Sequence, residues 1–261
     1  GGEKNNDEKG ILRFKNDAND SIVFKDAIRG TITFNPSLLG DFSVAKSMSE
    51  ALYTFTTVVD DSLLHISHII RGEDHIPNTP KHILLQKACG FEEPIYAHLP
   101  LILGKDRSKL SKRHGPTGIA QYKKEGYVAS ALFNFLSLLG WHPQEKKDAK
   151  RGEEEIFSKD DLIRAFSLSD IQKGGAVFDI DKLQWMNGMY IRHMAPQELA
   201  ESLLGYLKPD WLKKAEPRLS WWQGIATLEQ PRLALLGDIA ERIDYYFENP
   251  ILQKEILLSK N

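Results

Sequence analysis

The chain has 261 residues, 41% of them hydrophobic and 27% charged, with a formal net charge of −2. This is the profile of about two globular domains with a real core and no overall field to draw the protein onto nucleic acid, so any polyanion site is a local patch. A single cysteine, Cys89, excludes an intramolecular disulfide and a cysteine-based zinc site; with no apolar run near the ~20 residues of a membrane helix, the chain reads as cytoplasmic.

The opening GGEKNNDEKG lacks an initiator Met and any apolar period. It reads as a loop, tag remnant or cut point, and the chain as a fragment. Residues 11–34 alternate as strands do, with Ile11, Leu12, Phe14, Ile22, Val23, Phe24, Ile32 and Phe34 separated by turn residues, and predict an antiparallel meander. TFTTVVDD (54–61) and HISHIIRG (65–72) are β-branched runs that read as buried strands of an α/β sheet. A helix is expected next, with Asn78 or Thr79 as cap, Pro80 in its first turn and Gly90 at its end. IYAHLPLIL (95–103) then reads as a strand. Strand, helix, strand is the crossover unit of a parallel sheet, and ligands gather beyond the carboxyl ends of its strands.

At that position stands GKDRSKLSKRHG (104–115), a basic loop between two glycines. Lysines on such a loop can follow a polyphosphate as it changes shape; a solvated surface loop is the alternative. Beyond it the pattern becomes helical. Val128, Ala131, Leu132, Phe135, Leu138 and Leu139 form a stripe closed by Gly140, and SKDD (158–161) resembles a capping box. Pro196 opens a helix through Leu199, Leu203 and Leu207, and Leu236, Ile239, Ala240, Ile243 and Phe247 mark another. The charged stretch at 144–155 reads as a solvated loop.

HLPLILGKDRSKLSKRHG resembles the KMSKS loop of class I aminoacyl-tRNA synthetases, in the form found in glutamyl-tRNA synthetases. YTFTTVVDD (53–61), HIIRGEDHIPNTPKHILL (68–85), FEEPIYAHLPLIL (91–103), LFNFLSLLGWHP (132–143) and FDIDKLQWMNGMYIR (178–192) are similar to consecutive segments of the same family. The resemblance implies an α/β fold, the second half of a Rossmann-like nucleotide-binding domain, followed by all-α stem-contact and helical domains. Residues 1–45 would be the tail of an acceptor-binding insertion, 46–114 the half-domain, 115–193 the stem-contact helices, and 194–261 the start of an anticodon-binding region.

The implied reaction is ATP-dependent activation of glutamate to glutamyl-adenylate and transfer to the 3′ end of tRNA(Glu), with activation waiting for tRNA. ATP with its Mg²⁺ is implied, no zinc, and no membrane or DNA partner. Matching positions make Lys109 and Lys112 the catalytic lysines. ATP would be bound by Lys109, Ser111 and Lys112 with Asp74 and His75, and L-glutamate by Tyr53 and Arg71. Each has a blander reading: a structural ion pair for Arg71, a core aromatic for Tyr53, a turn and cap before Pro80 for Asp74 and His75. His98 reads as a satisfied core histidine. The family's HIGH motif is not matched, since His65 and His68 of HISH lie on an alternating run, and the family's DGxPTY stands here as MSEALY (48–53). Two rivals remain: a relative that glutamylates a modified base of tRNA(Asp), against which residues 196–247 argue, and a non-catalytic tRNA-binding paralogue.

Overall fold

The computed structural model describes residues 10–111, 113, 118–143 and 154–248. It divides into two compact units, residues 1–102 with 167–176, and residues 103–166 with 177–261.

The first unit begins with two antiparallel assemblies rather than one meander. Strand β1 (Leu12–Phe14) pairs not with its successor but with β4 (Phe42–Ser47), which also pairs with β5 (Glu50–Ala51). Strands β2 (Ile22–Asp26) and β3 (Gly30–Phe34) form a separate hairpin. Its turn needs a left-handed residue, supplied by Gly30 at φ +84°. Alternation reveals these strands but not their partners, because period two fixes a face and leaves pairing to the tertiary fold.

The expected strand at 54–61 is a helix, α1 (Tyr53–Leu63). Its β-branched residues favour a strand only weakly. Phe55, Val58 and Ser62 recur at helical spacing, and Val58 is buried with Phe42 of β4 and Leu85. Packing decides the outcome. The helix closes with Ile66 N–H on the Asp61 carbonyl, which puts His65 at φ +53°.

Strand β6 (His68–Gly72) and strand β7 (Ile95–Leu99) are parallel, joined by a short 3₁₀ segment and helix α2 (Thr79–Cys89), which ends on Gly90 at φ +69°. The predicted strand at 95–103 is interrupted after Leu99, since Pro100 has no N–H for a ladder, and resumes as a two-residue strand at Ile102–Leu103. Ile22 and Phe24 of the hairpin pack with Ile83 of α2 and Tyr96 of β7, and Ala27 N–H bonds to the Tyr96 carbonyl. No strand among the described residues pairs with the other edge of β6. Along and before it, Leu63, Leu64, Ile66 and Ile70 are exposed.

The second unit is mainly helical: α3 (Ile119–Glu125), α4 (Ala129–Ser137), α5 (Lys159–Ala165), α6 (Ile180–His193), α7 (Pro196–Leu204), α8 (Pro209–Ala215) and α9 (Leu219–Glu229), with the short α10 (Ile239–Arg242) and α11 (Asp244–Phe247). The capping box is present: Ser158 accepts from Asp161 N–H and the Asp161 carboxylate accepts from Ser158 N–H. The helix opened by Pro196 stops at Leu204, short of Leu207. The expected last helix is broken at Ile243, whose φ of −120° separates α10 from α11; Leu236, Ile239, Ile243 and Phe247 still reach a core with Leu199, Leu203, Trp211 and Trp222. Gly126 ends α3 at φ +101°, where a Cβ would stand 2.3 Å from Gly237 N, so both the backbone angle and the close approach demand glycine. Among the described residues no helix is long and apolar enough to cross a membrane.

Candidate active site

Arg71 is the next-to-last residue of β6, at the carboxyl end where crossover sheets present ligands, and the parallel register sets it opposite His98 of β7. Helix α2 begins beside it, so Thr79 and, one turn on, His82 bring their side chains to the same guanidinium. Arg71 Nη2 donates to Thr79 Oγ1 at 2.8 Å, Nε donates to His98 Nε2 at 3.3 Å, and Nη1 lies 3.5 Å from His82 Nδ1. The Arg71 Cζ sits 5.6 Å from the Tyr96 ring centroid.

These partners are all uncharged. Among the described residues no carboxylate lies within ion-pair distance of Arg71. A half-buried guanidinium held only by neutral acceptors keeps a full positive charge to offer, and two of its five N–H groups are left for a carboxylate fork.

Three rings stand around this point. Tyr53, the first residue of α1, is exposed and lies 6.4 Å from the His75 ring and 6.2 Å from the His82 ring. Its surroundings are open, unlike those of a core aromatic. His75 is half-buried in the 3₁₀ segment Glu73–Asn78, with Nδ1 buried and unbonded among the described residues. Asp74 precedes it and is exposed, its carboxylate so near Gly72 that a Cβ there would meet it at 2.5 Å. His82, which no sequence motif singles out, is fully buried; burial first, then Arg71, His75 and Lys81, lower its pKa to about 4.

This histidine carries a pH signature. Because its folded pKa lies below the ordinary 6.5, its contribution is fully present above pH 6.5 and is lost as pH falls toward about 4, a loss of about 3 kcal/mol for this one group. His98, also depressed, chiefly by burial, acts in the same direction. Urea midpoints should therefore fall between pH 7 and 4.5, and His82→Gln should flatten that slope.

The basic loop belongs to the second unit and is more ordered than a solvated run. Leu103 and Lys109 form an antiparallel bridge, Gly104 N–H bonds to Ser108 O at 2.8 Å, and Arg107 turns the corner at φ +60°. Asp106, the loop's one acid, accepts from Ser108 N–H at 2.9 Å and from its hydroxyl at 2.8 Å. Lys105 pairs with Asp179, 3.2 Å away at the N-cap of α6, and with Asp181 in its first turn. Arg113 donates to Ser108 Oγ at 3.0 Å. Lys109 is exposed and Ser111 half-buried, while Lys112 lies outside the described residues.

A cleft of about 530 Å³ in the first unit, lined by Asp61, His65, Gln86, Glu92 and Glu93 among others, contains none of the predicted site residues. It lies at the amino ends of β6 and β7, the opposite end from Arg71, and only Asp61 of its lining feels the charge of that guanidinium. Among the described residues no group of three His, Cys, Asp or Glu is placed to hold a metal ion.

Residues 2–185 match the family of class I tRNA synthetases for glutamate and glutamine, catalytic domain. The chain is 50% identical over 198 residues to the glutamate–tRNA ligase of Aquifex aeolicus, covering 76% of this chain and 41% of that one. It is 40% identical over 247 residues to that of Desulforamulus reducens, covering 94% and 50%. A solved glutamate tRNA ligase from Elizabethkingia meningosepticum, in complex with its amino acid, superposes with a TM-score of 0.79 at 30% identity over 94% of this chain and 51% of that structure. The chain thus spans about half the length of the relatives it matches.

Proposed function

The chain belongs to the class I tRNA synthetase catalytic-domain family for glutamate and glutamine, and from that premise we propose that it supplies part of the machinery of a glutamate–tRNA ligase. In this reading residues 46–114 are the second half of the nucleotide-binding domain, 115–193 the stem-contact helices and 194–261 the start of the anticodon-binding region. The substrates are L-glutamate, ATP with its Mg²⁺, and tRNA(Glu).

The observation that carries the reading is Arg71, a half-buried cation hydrogen-bonded only to neutral partners, with no carboxylate within ion-pair distance among the described residues and Asp61 feeling its charge only from farther off. Its remaining N–H fork fits the side-chain carboxylate of glutamate and would leave the amide of glutamine a donor facing donors, which disfavours the wrong amino acid. Tyr53 would flank that side chain, and Asp74 and His75 the nucleotide and the terminal adenosine of the tRNA. The glutamate α-carboxylate attacks the α-phosphorus of ATP and pyrophosphate leaves; Lys109, Ser111 and Lys112 offset the charge that moves onto the leaving phosphates. The acceptor hydroxyl of the tRNA then displaces AMP. Positioning and charge complementarity supply most of such a reaction.

The test is ATP–pyrophosphate exchange with glutamate and tRNA(Glu). A protein of the relatives' length carrying this chain should exchange, and replacing glutamate with glutamine should abolish it. The 261-residue chain alone, which has no match to the HIGH motif, should show none; exchange by this chain, with contaminating synthetase excluded, would sink that expectation.

A further inference from the structure

Behind Arg71 runs a buried chain of polar groups that starts in a different part of the fold. Asp26, the last residue of β2, is 1% exposed, and His98 and Thr79 are fully buried. Asp26 Oδ1 accepts from the N–H groups of Ile28 at 2.9 Å and Arg29 at 2.8 Å; Oδ2 accepts from His98 N–H at 3.0 Å and faces His98 Nδ1 at 2.6 Å. Thr79 Oγ1 lies 3.0 Å from His98 Nε2.

Donor and acceptor counting fixes the protons. Arginine has only donors, so Arg71 Nε at 3.3 Å requires a lone pair on His98 Nε2. The single ring proton is therefore on Nδ1, donated to a carboxylate. Thr79 accepts from Arg71 and directs its own hydrogen to His98 Nε2 or to the His75 carbonyl, 3.3 Å away. The spacing resembles an Asp–His–hydroxyl triad, but a hydroxyl with no exposure meets no substrate, so nucleophilic catalysis is excluded and only orientation is left.

We infer that Asp26, His98 and Thr79 are positioning residues for substrate recognition: Asp26 holds His98 in the tautomer whose lone pair anchors Arg71, and Thr79 fixes the adjacent nitrogen, so that the rest of the guanidinium fork is aimed at a carboxylate. This rests on the reading of Arg71 as the carboxylate-binding residue. The β2–β3 hairpin is then part of the specificity apparatus. Arg29 reinforces it, donating through Nε to the His98 carbonyl at 3.3 Å and pairing through Nη2 with Glu73, two residues beyond Arg71.

The decisive variant is Asp26→Asn. Its amide oxygen must take the Oδ1 place, which serves Ile28 and Arg29 and lies 3.3 Å from the His98 backbone nitrogen, and that turns the NH₂ group toward His98 Nδ1. The ring then keeps its proton on Nε2, donor against donor with Arg71, as when the acid of a hydrolase triad is replaced by its amide. In the full-length protein Asp26→Asn and, independently, Thr79→Val should each raise the KM for glutamate roughly three- to tenfold, about one hydrogen bond. The KM for ATP should hold, Thr79→Ser should restore the glutamate KM, and neither loss should add to that of Arg71→Lys.

The ¹⁵N shifts of a histidine-labelled protein should show His98 as the Nδ1–H tautomer in the wild type and Nε2–H in Asp26→Asn. An Nε2–H or doubly protonated His98 in the wild type overturns the inference even if no variant folds. Parallel rises in both KM values would make the network merely structural and overturn it as well. If Arg71→Lys leaves the glutamate KM unchanged, the pocket reading falls and takes this inference with it. If Arg71→Lys raises it while Asp26→Asn and Thr79→Val do not, only this inference falls.

Discussion

Arg71→Lys, in a protein of the relatives' length, is expected to raise the KM for glutamate by about 10- to 150-fold, the ~1.5–3 kcal/mol of a charge-assisted pair. Lysine retains the charge but not the planar fork. Arg71 divides five donors between its anchors and the open side, with Nε on His98 and Nη2 on Thr79. An ammonium with three donors on a flexible stem cannot do both. The KM for ATP and the melting temperature should change little, because no described carboxylate depends on Arg71 for its hydrogen-bonding partner. Were Arg71 a structural ion-pair residue, melting temperature would drop and both substrates would suffer together or neither would. Steady-state kinetics with a melt of the same preparation separates the two.

Lys112→Ala should cost more. A cation that meets charge appearing only as pyrophosphate departs acts on the transition state, and by analogy with the loss of one oxyanion donor it is worth roughly 2.7–4 kcal/mol, about 100- to 1000-fold in the rate of adenylate formation. Glutamate affinity should be nearly untouched. Rapid-quench measurement of adenylate, beside an independent glutamate titration, tests the split; equal losses in the two would place the lysine in ground-state binding or folding instead.

Residue types and local punctuation are easier to read in this sequence than long-range geometry. Tyr53, Arg71, Asp74 and His75 stand out because side chains of those kinds are spaced as in the glutamyl-tRNA synthetases, and the basic loop because cations crowd between two glycines. Local punctuation is equally readable: Gly90 ends α2 and Ser158 caps α5 as their residue types demand. Long-range decisions are not. Whether 54–61 is strand or helix depends on Phe42 and Leu85, far off in sequence, which cover Val58. His98 is legible as a buried, satisfied histidine, yet its satisfaction comes from Asp26, seventy-two residues away, and no periodicity links the two. His82 escapes because one histidine on a helix carries no local signal; only the fold turns it to Arg71.

The side of β6 that no described strand pairs with bears on handling and quality control rather than on catalysis. A strand edge with no partner among the described residues is a template that accepts another strand, and here Leu63, Leu64, Ile66 and Ile70 are exposed along it, with Arg71 the one full charge of the strand. Its neighbours offer neither a proline nor a lysine within His65–Gly72 to act as a gatekeeper. Left bare, that edge favours self-association that steepens with protein concentration, and it presents the kind of apolar, strand-ready segment that chaperones and proteases sample.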